Sequence, residues 1–178
     1  MCRAVSDWER CIIFHGHTCP GLAIGYKAAM AAKQRLLFRF SEDEDIVCVT
    51  ENDACGVDAI QVLTGCSIGK GNLIYRDRGK QAYSFFKRTN GEKVRIIFKQ
   101  LPNRDTMDRD AFQEYILTAP IDELFEFKEP NFSLPEMARI FKSLPCDSCG
   151  ESTIEHKLRL HDGKKLCLDC FPEYTRGW

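Results

Sequence analysis

Apolar positions recur with helical spacing at the start of the chain: Val5, Trp8, Cys11 and Ile12 predict a short helix leading into Phe14. A second helix is predicted from Pro20 to about Phe38. Leu22, Tyr26, Ala29, Met30, Leu36 and Leu37 form its stripe, and Pro20 suits a first helical turn. The alanines at 23, 28, 29, 31 and 32 allow another element to approach closely. Asp45–Thr50 reads as a buried strand. A third helix is predicted from about Cys55 to Thr64, with Asp53 as its cap and Gly65 as its end. Three strand-like runs follow: Leu73–Tyr75, Ala82–Lys87 and Val94–Phe98. Asn90-Gly91 between the last two is a hairpin signal. A helix is predicted over Arg109–Leu117, and Ile121–Lys128 is apolar but mixed. Helix, strand, helix and a three-strand meander give an α+β fold, with helices on one face of a mainly antiparallel sheet.

The predicted organisation is a core over 1–128, a linker over 129–144 punctuated by Pro130 and Pro135, and a small module over 145–178. A core of this size buries about two-thirds of its unfolded surface and needs no covalent staple. The 25 basic and 26 acidic residues nearly cancel, which argues against a general nucleic-acid binder. No secretory signal or membrane span is expected, because residues 1–10 are charged and no run reaches 18 apolar residues. Ten cysteines in one chain then suggest a reducing cytoplasm, with metal binding or reactive thiols rather than disulfides.

Four of those cysteines form two tight pairs, Cys146/Cys149 and Cys167/Cys170, with seventeen residues between the pairs. That spacing brings four thiolates to one tetrahedral zinc. Gly150 suits the turn of a knuckle, Asp162-Gly163 suits a hairpin, and Cys170 is expected to open a short helix. Together these predict a treble-clef finger with a structural zinc. Such a module can hold a partner protein or, through Lys157, Arg159, Lys164 and Lys165, nucleic acid.

The second chemical centre is Phe14-His15-Gly16-His17-Thr18-Cys19-Pro20-Gly21. In extended chain His15 and His17 point to the same side. Cys19 falls at a helix N-terminus, where free N–H groups favour a thiolate. Imidazole and thiolate together suit zinc, iron or a similar metal, or a nucleophile with its base. Glu51 to Asp58 is expected to supply the rest of the site. Cys55 would join the metal at His15, His17 and Cys19, and Asp53, Glu51 or Asp58 would take a proton or orient a histidine. If the site is catalytic, Cys19, His17 and Asp53 are the candidate residues. Gly65–Asn72 is a third candidate, with Lys70 placed to neutralise a bound anion, although the spacing is not that of a P-loop. Cys2, Cys11 and Cys48 read as structural, and Cys66 as a packed thiol.

Three segments in this order, Phe14–Gly21, Asp53–Gln61 and Gly65–Leu73, resemble the FmdE family of formylmethanofuran dehydrogenase components over roughly residues 8–125. The resemblance implies a dimeric α+β core, a C-terminal treble-clef finger, and a metal-binding or catalytic pocket at His17, Cys19 and Cys55. It also implies a place beside a tungsten or molybdenum pterin enzyme of one-carbon metabolism. Nothing in the chain resembles a pterin-binding domain, so an accessory role is expected. A second transition metal, zinc as isolated, is expected in the core pocket. The rival expectations are a non-catalytic dimeric adaptor and a thiol-redox protein using Cys19 and Cys55.

Overall fold

The computed structural model describes residues 4–102, 104–174 and 176–177. The chain divides into two compact units at Ala138/Arg139. Cys2 lies outside the described residues.

In the first unit, α1 (Asp7–His15) opens with a capping box. The Ser6 hydroxyl accepts the Glu9 amide while the Glu9 carboxylate accepts the Ser6 amide, which satisfies two N–H groups at the helix start. Gly16 ends the helix at φ 89°, a left-handed cap donating to the Ile12 carbonyl. After a short loop, α2 (Pro20–Leu36) begins with Cys19 as its N-cap and Pro20 in the first turn. The predicted alanine face is buried along the length of α2. Against it lies α3 (Gly56–Thr64), capped by Gly65 in the left-handed region. The two helices approach so closely at Gly25 and Gly56 that a Cβ on Gly25 would overlap the Gly56 carbonyl. The Cys19 and Cys55 ends of these helices are thereby drawn together.

The sheet contains β1 (Ile46–Thr50), β2 (Leu73–Tyr75), β3 (Ala82–Lys87), β4 (Lys93–Phe98) and β5 (Phe125–Lys128), in the order β2-β1-β3-β4-β5. The register aligns Cys48 with Phe85 and Phe85 with Val94. Ile46, Cys48, Tyr83, Phe85, Val94 and Ile96 face α2 and α3 in the main core. Fully burying such side chains contributes about 1.5–3 kcal/mol each. Alternate residues of β1 and β3 (Val47, Val49 and Phe86) form a smaller cluster with Ile74 and Phe132 on the other face.

The expected meander is corrected at its first strand. β2 pairs parallel with β1, and β3 inserts on β1's other side. The reason is α3: a helix between two strands carries the chain back to the starting edge, which favours parallel pairing. The mixed segment 121–128 resolves into one turn, α5 (Ile121–Leu124), and then β5. Before it, α4 (Arg109–Thr118) is tied to α2 by Lys27, whose ammonium donates to the Leu117 and Ala119 carbonyls. The first ten residues of the expected linker pack with the core. Arg88 donates to the Pro135 and Glu136 carbonyls, and the Ala138 amide donates to Glu44.

The second unit is two small hairpins. β6 (Ser143–Pro145) pairs with β7 (Ser152–Ile154), and β8 (Arg159–His161) pairs with β9 (Lys164–Leu166). Asp162 and Gly163 turn the latter with positive φ. The helix expected at Cys170 is not formed among the described residues: after Cys170 the chain runs as bend and coil.

Candidate functional site

His15 is the last residue of α1, and Gly16 reverses the chain so that His17 folds back beside it. The ring centroids lie 4.4 Å apart. The two imidazoles therefore meet across a helix terminus, not along extended chain as the sequence suggested. Cys19 is buried, and its sulfur accepts the Leu22 amide at 3.3 Å in place of the usual capping oxygen. His15 Nε2 lies 3.8 Å from that sulfur. One donor atom from each of His15, His17 and Cys19 falls within 4.8 Å of the other two.

Asp58, in the first turn of α3, accepts a hydrogen bond from His15 Nδ1–H at 2.7 Å. This fixes the tautomer and leaves Nε2 as the free ligand atom, as second-sphere carboxylates do at metal sites. Ligands at 2.0–2.3 Å from a tetrahedral zinc stand about 3.3–3.8 Å apart, so the His15–Cys19 separation fits one edge of such a centre. Cys55 lies outside this three-residue group. Its sulfur and that of Cys19 both lie within 4 Å of where a Cβ on Gly21 would stand, so this glycine is what lets the two thiols crowd together. Burial, and then its hydrogen bond with Cys19, push the Cys55 thiol above its ordinary pKa.

Beside this cluster opens a cavity of about 430 Å³, lined in part by His15, Asp53, Cys55, Asp58, Ile68 and Tyr75. Asp53 reaches this cavity but does not cap α3. Cys55 holds the N-cap position, and Asn52 accepts the Ala54 amide instead. Glu51 points to the other face of the sheet, where Arg95 grips it through two hydrogen bonds of 2.7 and 2.9 Å. Lys70 is used by the fold: its ammonium donates to the Ser41 carbonyl at 2.6 Å, and Asn72 ties the same loop to Asp43 and Ile46. Cys11, Cys48 and Cys66 are sealed in the core. Thr50, Asn52 and Tyr75 also line the cavity, and the sequence reading misses them. The signal that could have found them is their place at or just beyond the C-terminal ends of β1 and β2.

In the second unit the sulfurs of Cys146, Cys149, Cys167 and Cys170 converge within 4.8 Å, with Cys149 and Cys167 at 3.9 Å. Backbone N–H groups of Cys149, Cys167 and Ser148 pull the Cys146 thiol down to about 6. Cys170 goes the other way, to about 12. Ser148 favours its thiolate, but the crowding sulfurs of Cys167 and Cys149 outweigh that. Four such thiols cannot all ionise without a cation among them, which is the chemistry of a structural zinc.

Residues 14–126 match the family described as "FmdE, Molybdenum formylmethanofuran dehydrogenase operon". This chain belongs to the FmdE family. Residues 139–176 match the prokaryotic dksA/traR C4-type zinc finger, in accord with the four converging sulfurs. A relative from Archaeoglobus fulgidus, a "Probable S-adenosyl-L-methionine-binding protein", is 32% identical over 192 aligned positions. The alignment covers 90% of this chain and 51% of the relative, so the chain spans about half that protein's length. The crystal structure of an FmdE-like protein of tungsten formylmethanofuran dehydrogenase, from Syntrophus aciditrophicus, superposes with a TM-score of 0.66. The two share 24% identity, over 91% of this chain and 88% of that one. At that identity the likeness shows the fold alone. Among the described residues no helix is long and apolar enough to cross a membrane.

Proposed function

We propose that this FmdE-family chain carries two metals: the structural zinc of the finger, and a second transition metal, zinc as isolated, in the core. His15 Nε2, His17 and Cys19 would hold the core ion, with the Cys55 thiol beside them as the candidate fourth ligand. Asp58 orients His15. The adjoining cavity would take a small substrate or cofactor fragment, with Asp53 and Tyr75 at its wall. A bound metal supplies Lewis acidity at the cavity mouth. The protein would act, as accessory or enzyme, in anaerobic one-carbon metabolism beside a molybdenum or tungsten enzyme, as a cytoplasmic homodimer. The operon named in the family's description supports the metabolic part of this reading.

The observation that carries the metal site is the convergence of three ligand atoms from one five-residue loop, one of them aligned by a carboxylate. Elemental analysis of protein purified without oxygen or chelator tests it. Two metals per chain are expected. Cys19→Ala should lose one of them and Cys146→Ala the other. One metal per chain, unchanged by Cys19→Ala, would overturn the core site.

The proximity of Cys19 and Cys55 favours one further reading, a thiol-redox pair. A disulfide between them on diamide treatment, in protein with no core metal, would select it. Two histidines gathered at the same sulfur favour the metal. The name of the Archaeoglobus relative makes S-adenosylmethionine a ligand to test in the cavity, where Asp53 and Asp58 offer negative charge to its sulfonium.

A further inference from the structure

The face of the sheet turned away from the helices carries a second cavity, of about 240 Å³, that the metal cluster does not touch. Five cationic side chains (Arg76, Arg78, Lys80, Arg95 and Lys128) line it, against only two carboxylates, Glu51 and Glu129. In a chain of net charge −1 this is a strong local excess. Several of these charges are already paired. Arg95 is held by Glu51, Lys128 lies 2.9 Å from Glu126, and Glu129 lies 3.4 Å from Lys93. Arg76, Arg78 and Lys80 remain. Arg76 and Lys80, with Arg95, supply the positive field that acts on the Glu51 carboxylate. Several cations converging on one buried carboxylate repel one another unless a further anion shares the site.

The surroundings hold the cations in place. The Arg76 guanidinium lies over the Phe132 ring, 4.8 Å from its centre, which restrains it while leaving its N–H edge open. The amides of Arg78 and Lys80 both donate to the Glu51 carbonyl, so the segment carrying these side chains is pinned at the end of β1. On the same face Ser84, paired across the strands with Arg95, is fully buried, and its hydroxyl has no hydrogen-bond partner among the described residues.

We infer that this cavity binds a small oxyanion-bearing molecule, a phosphate compound first, through Arg76, Arg78 and Lys80, with Arg95 fixed behind them by Glu51. Guanidinium forks match the geometry of phosphate oxygens, and the cavity admits a small phosphorylated compound and not an extended polymer. The site also adjoins the metal loop: the Lys80 carbonyl accepts a hydrogen bond from Asn52, three residues before Cys55.

Isothermal titration in low-salt Tris buffer, with pyrophosphate, inorganic phosphate and citrate as probes, tests the inference. Saturable binding of pyrophosphate by the full chain is expected. An Arg76→Gln/Lys80→Gln double variant should weaken it at least tenfold with an unchanged far-UV spectrum. A Lys164→Gln/Lys165→Gln variant in the finger should bind as the parent does. Citrate binding more tightly than pyrophosphate would keep the site and identify its ligand as a polycarboxylate. The inference fails if none of the three probes saturates, if the Arg76/Lys80 variant binds as tightly as the parent, or if only an oligonucleotide binds.

Discussion

At the scale of single residues, two carboxylates divide the work of the core between the faces of the sheet. Asp58 holds His15 by its Nδ1–H at 2.7 Å, so its contribution is to present Nε2 in one tautomer and one orientation. Asp58→Asn should lower core-metal affinity by about 10–100-fold, the usual effect of losing such a partner, with the finger's metal retained. Competition with a chromophoric chelator measures this, and unchanged affinity would remove Asp58 from the site. Glu51 has a structural task. Arg95 first, and then Lys80 and Arg76, hold its carboxyl below the ordinary carboxylate range in spite of burial. A carboxyl with a depressed folded pKa adds stability above its unfolded pKa, and that stability is lost as pH falls through the folded value. Glu51→Gln strands a nearly buried Arg95 and should cost about 3 kcal/mol near neutral pH. Urea melts at a series of pH values should show this gap closing below the ordinary carboxylate range. A gap constant down to strongly acid pH would mean the ion pair is not its source.

At the scale of elements, the site exists because α2 and α3 touch backbone to backbone. Gly25 and Gly56 set that distance, and Cys19 and Cys55 sit at the helix ends it brings together. Gly25→Ala should destabilise the core by about 1–3 kcal/mol, as overpacking does, and should also weaken core-metal binding, although residue 25 touches no ligand. A melt combined with metal titration tests both effects, and loss of stability with full metal affinity would contradict the second. Most of these elements were legible in the sequence because their signals are local. Such signals are the alanine stripe and Pro20 for α2, the unbroken apolar run for β1, and Asn90-Gly91 for the β3–β4 hairpin. Non-local pairing was not legible. That β2 returns parallel to β1, and that β5 closes the far edge, depends on crossings no short window contains. The same limit governed the site. His15, His17 and Cys19 announce themselves within five residues. The choice of Asp58 over Asp53 as orienter needed the packing of α1 on α3, and the basic cavity draws its residues from β4, β5 and the segment after β2, where Arg76–Lys80 reads simply as a charged turn.

At the scale of the molecule, the two units rest on different physics, and metal removal should separate them. The first has a large apolar core running through α2, α3 and both faces of β1, which needs no ion to stay dry. The second buries little beyond Cys146, Leu166 and Cys167, with Cys170 and Phe171 against them, and its hairpins have three-residue strands. Hairpins of that size are not stable alone. Zinc binding to four thiolates contributes on the order of 10 kcal/mol to folding such a module. Strong chelation under anaerobic conditions should therefore unfold residues 143–166 and leave the sheet intact. Hydrogen exchange reads this directly. Amides such as Cys146, Asp147 and Cys170, which bond within the finger, should lose protection, while those of β1 and β3 keep theirs. Removing the core ion at the same time should loosen only the loop from Gly16 to Cys19, because α1 and α2 are capped by their own residues. If β1 and β3 lost protection together with the finger, the core would depend on metal for its fold, and the His15–Cys19 centre would be a structural site, not one free to bind substrate.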